Sequence, residues 1–144
     1  MSTAAPVFAQ LNLVVADMTA SVAFYRCLGL PIDTSQPWAA HHIDIRMPNG
    51  LELSLDSVAF AKRWDQGWRA QPGPGRNVIG FNLPSRDAVD ERYAELTAAG
   101  YAGQQPPYDA FWGARYAIVE DPDGNPVGLM SPLDPARRAA PPAL

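Results

Sequence analysis

The only histidines in the chain, His41 and His42, are adjacent. Neighbours on a strand point to opposite faces, so the two cannot ligate one ion together. His42 has carboxylates within reach of its own face, Asp44 and Asp56, and with them it can build either a general base or a noncanonical metal ligand set. The plainer alternative is a polar wall histidine. Glu52 is the candidate catalytic carboxylate, able to move a proton if it is buried; the competing role is a cross-strand ion pair with Arg46. No Ser-His-Asp or Cys-His pattern suggests a nucleophile, and the single Cys27, after Arg26 in an apolar helical stretch, reads as a core thiol. Asp121-Pro122-Asp123-Gly124 is turn chemistry despite its carboxylates. Trp38, Trp64, Trp68, Tyr108, Phe111 and Trp112 fall mostly in loops, where rings can stack on a planar ligand or cover an interface. Trp112, next to Gly113 and just before a strand, is the best placed of them.

Those residues need elements to hold them. Residues 8–15 alternate Gln10, Asn12 and Val14 against Leu11, Leu13 and Val15, the pattern of a half-buried strand. Asp17 is positioned to cap a helix carrying Met18, Val22, Tyr25 and Leu28 on one stripe, and Gly29 is positioned to end it. A short extended piece follows from Ile32, then a hairpin of residues 41–47 and 51–56 around Pro48-Asn49-Gly50. A three-residue loop pairs Ile43, Ile45 and Met47 with Leu55, Leu53 and Leu51, which leaves His42, Asp44 and Arg46 opposite Asp56, Ser54 and Glu52 on the other face. Residues 57–76 form a linker with a short helical stretch through Phe60 and Arg63 and a breaker run over residues 71–75.

The pattern then restarts. Residues 78–84 are strand-like, Ser85 is a candidate cap, Val89, Tyr93 and Leu96 form a helical stripe, and Gly100 closes it. A strand near Tyr101, an aromatic loop over residues 107–113 and a second hairpin of residues 115–120 and 125–131 follow. Gly50-Leu51-Glu52-Leu53 recurs as Gly124 followed by Val127-Gly128-Leu129. The chain is therefore an internal repeat of about 70 residues. The expected architecture is α+β, two paired βαβββ modules at about 8–56 and 77–131 in a single domain over residues 1–132. They make a curved mixed sheet around a cleft, with helices on the convex side and a flexible tail over 133–144.

Composition narrows the function. One hundred and forty-four residues with 47% hydrophobic content support one ordinary domain with a real core. A net charge of −4, with Lys62 the only lysine, excludes a basic nucleic-acid scaffold. A lone cysteine fits a reducing interior, and neither a leader pattern nor an apolar run near the roughly 18 residues of a membrane span is present. The expectation is a cytoplasmic protein with no nucleic-acid or membrane partner.

Val15-Ala16-Asp17-Met18 with Ser21 and Phe24-Tyr25, Leu28-Gly29-Leu30, and residues 119–125 (Val-Glu-Asp-Pro-Asp-Gly-Asn) carry a resemblance to the vicinal oxygen chelate superfamily, the group of glyoxalase I, extradiol dioxygenases and bleomycin-resistance proteins. It spans Gln10 to Met130 and implies the glyoxalase fold, with isomerases, lyases, dioxygenases and non-catalytic drug binders all among its functions. Metal-using members draw ligands from the first and last strands of each module. Gln10 and Glu52 match two such positions, while the other two fall on Gly80 (Ile79 if the alignment slips) and Gly128, which have no side chain able to ligate. The resemblance then implies a metal-free binding protein of the bleomycin- or mitomycin-resistance kind, a homodimer that sequesters a planar or aromatic compound, with no cofactor. The two glycines would leave room for a flat group to approach the backbone. The residues expected to face the ligand are Gln10, Asn12, Trp38, His42, Arg46, Glu52, Asn82, Tyr108, Phe111, Trp112, Gly128 and Met130. The alternative is a glyoxalase-like lyase, isomerase or dioxygenase, using Gln10 and Glu52 with a noncanonical ligand such as His42, or Glu52 alone as an acid/base.

Overall fold

A computed structural model describes residues 4–70 and 77–143. The breaker run expected over 71–75 lies outside the described residues. Contacts divide the chain into two units, Met1–Ala70 and Gln71–Leu144.

In the first unit β1 (Gln10–Val15) leads into α1 (Met18–Leu28), followed by β2 (His42–Arg46), β3 (Glu52–Ser57) and α2 (Val58–Trp64). The strands are ordered β1-β3-β2, with β1 parallel and β2 antiparallel to β3. Asp17 caps α1 by accepting the Ala20 N–H at 3.0 Å, and Gly29 ends it at φ +115°. Ser57 closes β3 and caps α2 through the Phe60 N–H. The hairpin has the expected register: Ile43 faces Leu55, Ile45 faces Leu53, and the Met47 N–H reaches the Leu51 carbonyl at 2.8 Å. Leu13, Val15, Ile43, Ile45, Leu53 and Leu55 are buried, as are Val22, Phe24, Tyr25 and Leu28 of α1. This apolar face turns the alternate residues, the polar ones, to the opposite face.

The extended piece after Ile32 forms no strand, so this module is βαββ and not βαβββ. The cause is local hydrogen bonding. Arg26 takes the Ile32 carbonyl at 2.7 Å, Asp33 accepts the Ser35 N–H, and the Trp38 carbonyl accepts from His41 and His42. Those groups are taken up by local bonds and not by a ladder.

The second unit runs β4 (Ile79–Asn82), α3 (Arg86–Ala98), β5 (Gly103–Asp109), β6 (Arg115–Glu120) and β7 (Pro126–Met130). Its sheet is ordered β4-β7-β6-β5, with β4 parallel to β7 and the other pairs antiparallel. Ser85 caps α3, whose Val89 and Leu96 are buried along with Ala117, Val119, Val127 and Leu129. Asp121 accepts the N–H groups of Asp123 and Asn125, which is the turn role expected of it.

The aromatic stretch 107–113 is loop only in its second half. β5 continues to Asp109, because Tyr108 pairs with Tyr116 and Asp109 with Arg115, whose guanidinium also bonds the Asp109 carboxylate at 3.2 Å. Pro106 and Pro107 are tolerated because β5 is an edge strand with register shifts. The tail, expected to be flexible, makes a 3-10 turn at Pro135–Arg137 and returns to the loop: Asp134 N–H meets the Gly113 carbonyl at 2.9 Å and Ala139 N–H the Phe111 carbonyl at 2.8 Å.

Candidate functional site

The polar face of the first sheet is an array set by register. Across β1, β3 and β2 the rows read Gln10, Glu52, Arg46; Asn12, Ser54, Asp44; and Val14, Asp56, His42. These residues, except Val14 and Arg46, line a concavity of about 570 Å³ together with Phe60 and Trp64 of α2. Ser57 sets that rim, since its cap starts α2 directly at the end of β3.

Hydrogen bonds link the array. Asp56, fully buried, accepts from Asn12 Nδ2 at 2.9 Å through one oxygen and meets His42 Nδ1 at 2.5 Å through the other. His42 Nε2 lies 3.0 Å from Asp44, which also accepts the Ser54 hydroxyl at 2.6 Å. Both ring nitrogens therefore face carboxylates, an arrangement only the imidazolium satisfies with two N–H donors. Burial pulls the His42 pKa down, but hydrogen bonds and charge from Asp56 and Asp44 outweigh it and hold the value above the ordinary one. Burial raises Asp44, and the Ser54 hydroxyl and His42 more than reverse it, leaving a lowered value.

The two directions define a pH window. A raised histidine stabilises the fold fully below about pH 6.5, and that contribution is lost as pH rises through the folded value; a lowered aspartate contributes above about pH 3.9 and is lost as pH falls through its own folded value. The melting-temperature advantage of wild type over His42→Gln is therefore expected to be largest between those limits and to shrink toward alkaline pH, as thermal scans across pH would read. An advantage that grows with pH would contradict the imidazolium assignment.

Glu52 forms the expected pair with Arg46 at 3.1 Å, where Arg46 is 72% exposed. Such a pair contributes about 1 kcal/mol or less. It nonetheless occupies the carboxylate proposed as a base. His41 is separate from the array, with its Nδ1 on the Ser57 hydroxyl at 2.9 Å. Trp38 is 60% exposed and meets Phe60 edge to face at 5.3 Å. Cys27 is free and half-buried.

The remaining expected residues belong to the second unit. Asn82, Met130, Tyr116 and Tyr108 lie in one register row. Trp112 packs edge to face with Phe111 at 5.2 Å, Tyr116 at 5.4 Å and Tyr108 at 6.4 Å, so it is one member of a ring cluster. The space expected over Gly128 is filled: a Cβ there would meet the Tyr116 hydroxyl at 2.8 Å and its Cε2 at 3.2 Å. The flat group lying on that backbone is the chain's own tyrosine. Over Gly80 the space is open. Tyr116 was not among the residues singled out from the sequence; the structure pairs it with Met130, two residues beyond Gly128.

A family-type metal does not fit these residues. Gly80 and Gly128 offer no side-chain donor, and both nitrogens of His42 are on carboxylates, so Gln10 and Glu52 are left without the further ligands a family-type site needs. Among the described residues no group of three or more His, Cys, Asp or Glu is arranged around an ion. No helix among them is long and apolar enough to cross a membrane.

Residues 7–129 match the profile of the Glyoxalase/Bleomycin resistance protein/Dioxygenase superfamily. A search of the curated proteins gave no match. Among solved structures, the chain is similar to a glyoxalase-related enzyme from Fulvimarina pelagi (25% identity over 86% of each chain, TM-score 0.73). It is also similar to a glyoxalase/bleomycin resistance protein/dioxygenase from Nocardioides (27% identity over 99% of this chain and 92% of that one, TM-score 0.69). A lactoylglutathione lyase from Agrobacterium tumefaciens shares the fold at 20% identity over 90% of this chain and 96% of that one, with a TM-score of 0.63.

Proposed function

Because the chain belongs to the Glyoxalase/Bleomycin resistance protein/Dioxygenase superfamily, we propose that it is a metal-free small-molecule binding protein, taking a planar or aromatic compound on the polar face of its first sheet. The observation that carries this reading is the pairing of a hydrogen-bonding floor, Gln10, Asn12, Asp44 and Ser54, with the rings of Phe60 and Trp64 at its rim. A flat ligand lies against the rings while its polar edge meets the floor. We read it further as a cytoplasmic homodimer of the resistance or sequestration type, a reading supported by family resemblance and by the lone cysteine.

Trp64 is 48% exposed, so its removal tests binding with little cost to the fold. Proflavine, a flat tricyclic probe, is expected to bind, and Trp64→Ala to weaken it about tenfold, ~1.4 kcal/mol, in a fluorescence titration. Equal affinity in both proteins would remove Trp64 from the site and the rim with it.

A further inference from the structure

His42 and Asp44 belong to two concavities at once. One lies over the sheet. The other, about 580 Å³, lies beside β2, where Asp33, Gln36, Pro37, Trp38 and Ile43 complete its wall. The His42–Asp44 contact stands between them.

We propose that this contact is a proton-operated partition, and that its opening extends the ligand site along Trp38 into the second concavity; the inference rests on the binding function proposed above. An imidazolium donates from both nitrogens, whereas a neutral ring keeps one N–H and turns a lone pair toward the other carboxylate. The two carboxylates differ in what they can do about that. Asp56 is fully buried and pinned by Asn12, so the remaining proton stays on Nδ1. Asp44 is 48% exposed in its side chain and held at Oδ1 by the Ser54 hydroxyl at 2.6 Å, while Oδ2, the oxygen that faces Nε2, can swing into water, away from the lone pair. Losing one proton therefore releases the half-exposed partner and leaves the buried one in place.

The charged surroundings are those of the two cavity walls. Asp56 and Glu52 face the histidine's side of the sheet from β3, Asp44 and Arg46 from β2, and Asp33 from the preceding loop; β1 and α2 present Gln10, Asn12, Phe60 and Trp64, which are uncharged. Carboxylates dominate, which keeps the imidazolium bridged through the acidic range. The ligand class that gains from opening is an elongated flat molecule. One end lies under the α2 rings and the other against the exposed face of Trp38, with an N–H or cationic group at its middle to meet the released Asp44.

The test uses the full chain. Long-range proton–nitrogen NMR of the imidazoles from about pH 5 to about pH 9 is expected to show His42 protonated on both nitrogens at the acid end and, when neutral, carrying its proton on Nδ1. A neutral form protonated on Nε2 overturns the partition, independently of any ligand. Proflavine binding is then expected to tighten fivefold or more as His42 loses its proton, in His41→Gln as in wild type. In Asp44→Asn the new amide can donate to Nε2 and keep the partition closed, so proflavine affinity should stay flat with pH. Proflavine that binds wild type equally at both ends of the range overturns the partition alone. Proflavine that binds at no pH overturns the ligand site and this extension together.

Discussion

Asp56→Ala is expected to lower the free energy of unfolding by about 3–5 kcal/mol, the usual consequence of removing one partner from a buried charged network. Asp56 is fully buried, and its two oxygens serve the half-buried Asn12 at 2.9 Å and His42 at 2.5 Å inside the first unit. Truncation leaves the Asn12 amide and the His42 Nδ1–H without an acceptor and a void on the polar face of β3, each adding to the cost. Urea denaturation of the two proteins at equal m-value reads the difference directly. A change below about 1 kcal/mol would mean that the network is dispensable to the fold.

Gly113→Ala is expected to cost about 2–4 kcal/mol, and the reason is positional. Gly113 sits at φ +98°, and a Cβ there would lie 2.5 Å from the Asp134 carbonyl oxygen. That oxygen belongs to backbone held in place, since the Asp134 N–H bonds the Gly113 carbonyl and the Ala136 N–H bonds the Asp134 side chain. Gly50 provides the control: its φ is +88°, but nothing lies within 4 Å of the added carbon. Gly50→Ala should therefore show only the left-handed strain of about 1–2 kcal/mol. If the two variants melt alike, the tail does not pack on the loop that carries Trp112.

The hairpin of the first unit was legible because its alternation is strict and only one loop length makes one face wholly apolar. Once that register is set, Arg46 must face Glu52 and His42 must face Asp56. Helix starts were legible for the same kind of reason at Asp17 and Ser85, each accepting an amide in the first turn, whereas the Ser57 cap of α2 was not read from the sequence. What could not be read was pairing at longer range. That β1 runs parallel to β3 places Asn12 beside Ser54 and within reach of Asp56, and no local pattern states it. The fate of Ile32 depended on Arg26 reaching across to its carbonyl, and the space over Gly128 on a tyrosine twelve residues earlier in the chain. The candidate site was thus half visible: its strand residues were named from alternation, while the Phe60 and Trp64 rim required knowing that α2 begins where β3 ends.

The central claim is that a small organic molecule, and no metal ion, is what this chain holds. Native mass spectrometry on protein purified without a His tag or chelator tests it most directly. The expected result is a metal-free species with an organic adduct that Trp64→Ala retains less. A stoichiometric divalent metal, lost on Glu52→Gln, would contradict the account and restore Gln10, Glu52 and His42 as a ligand set.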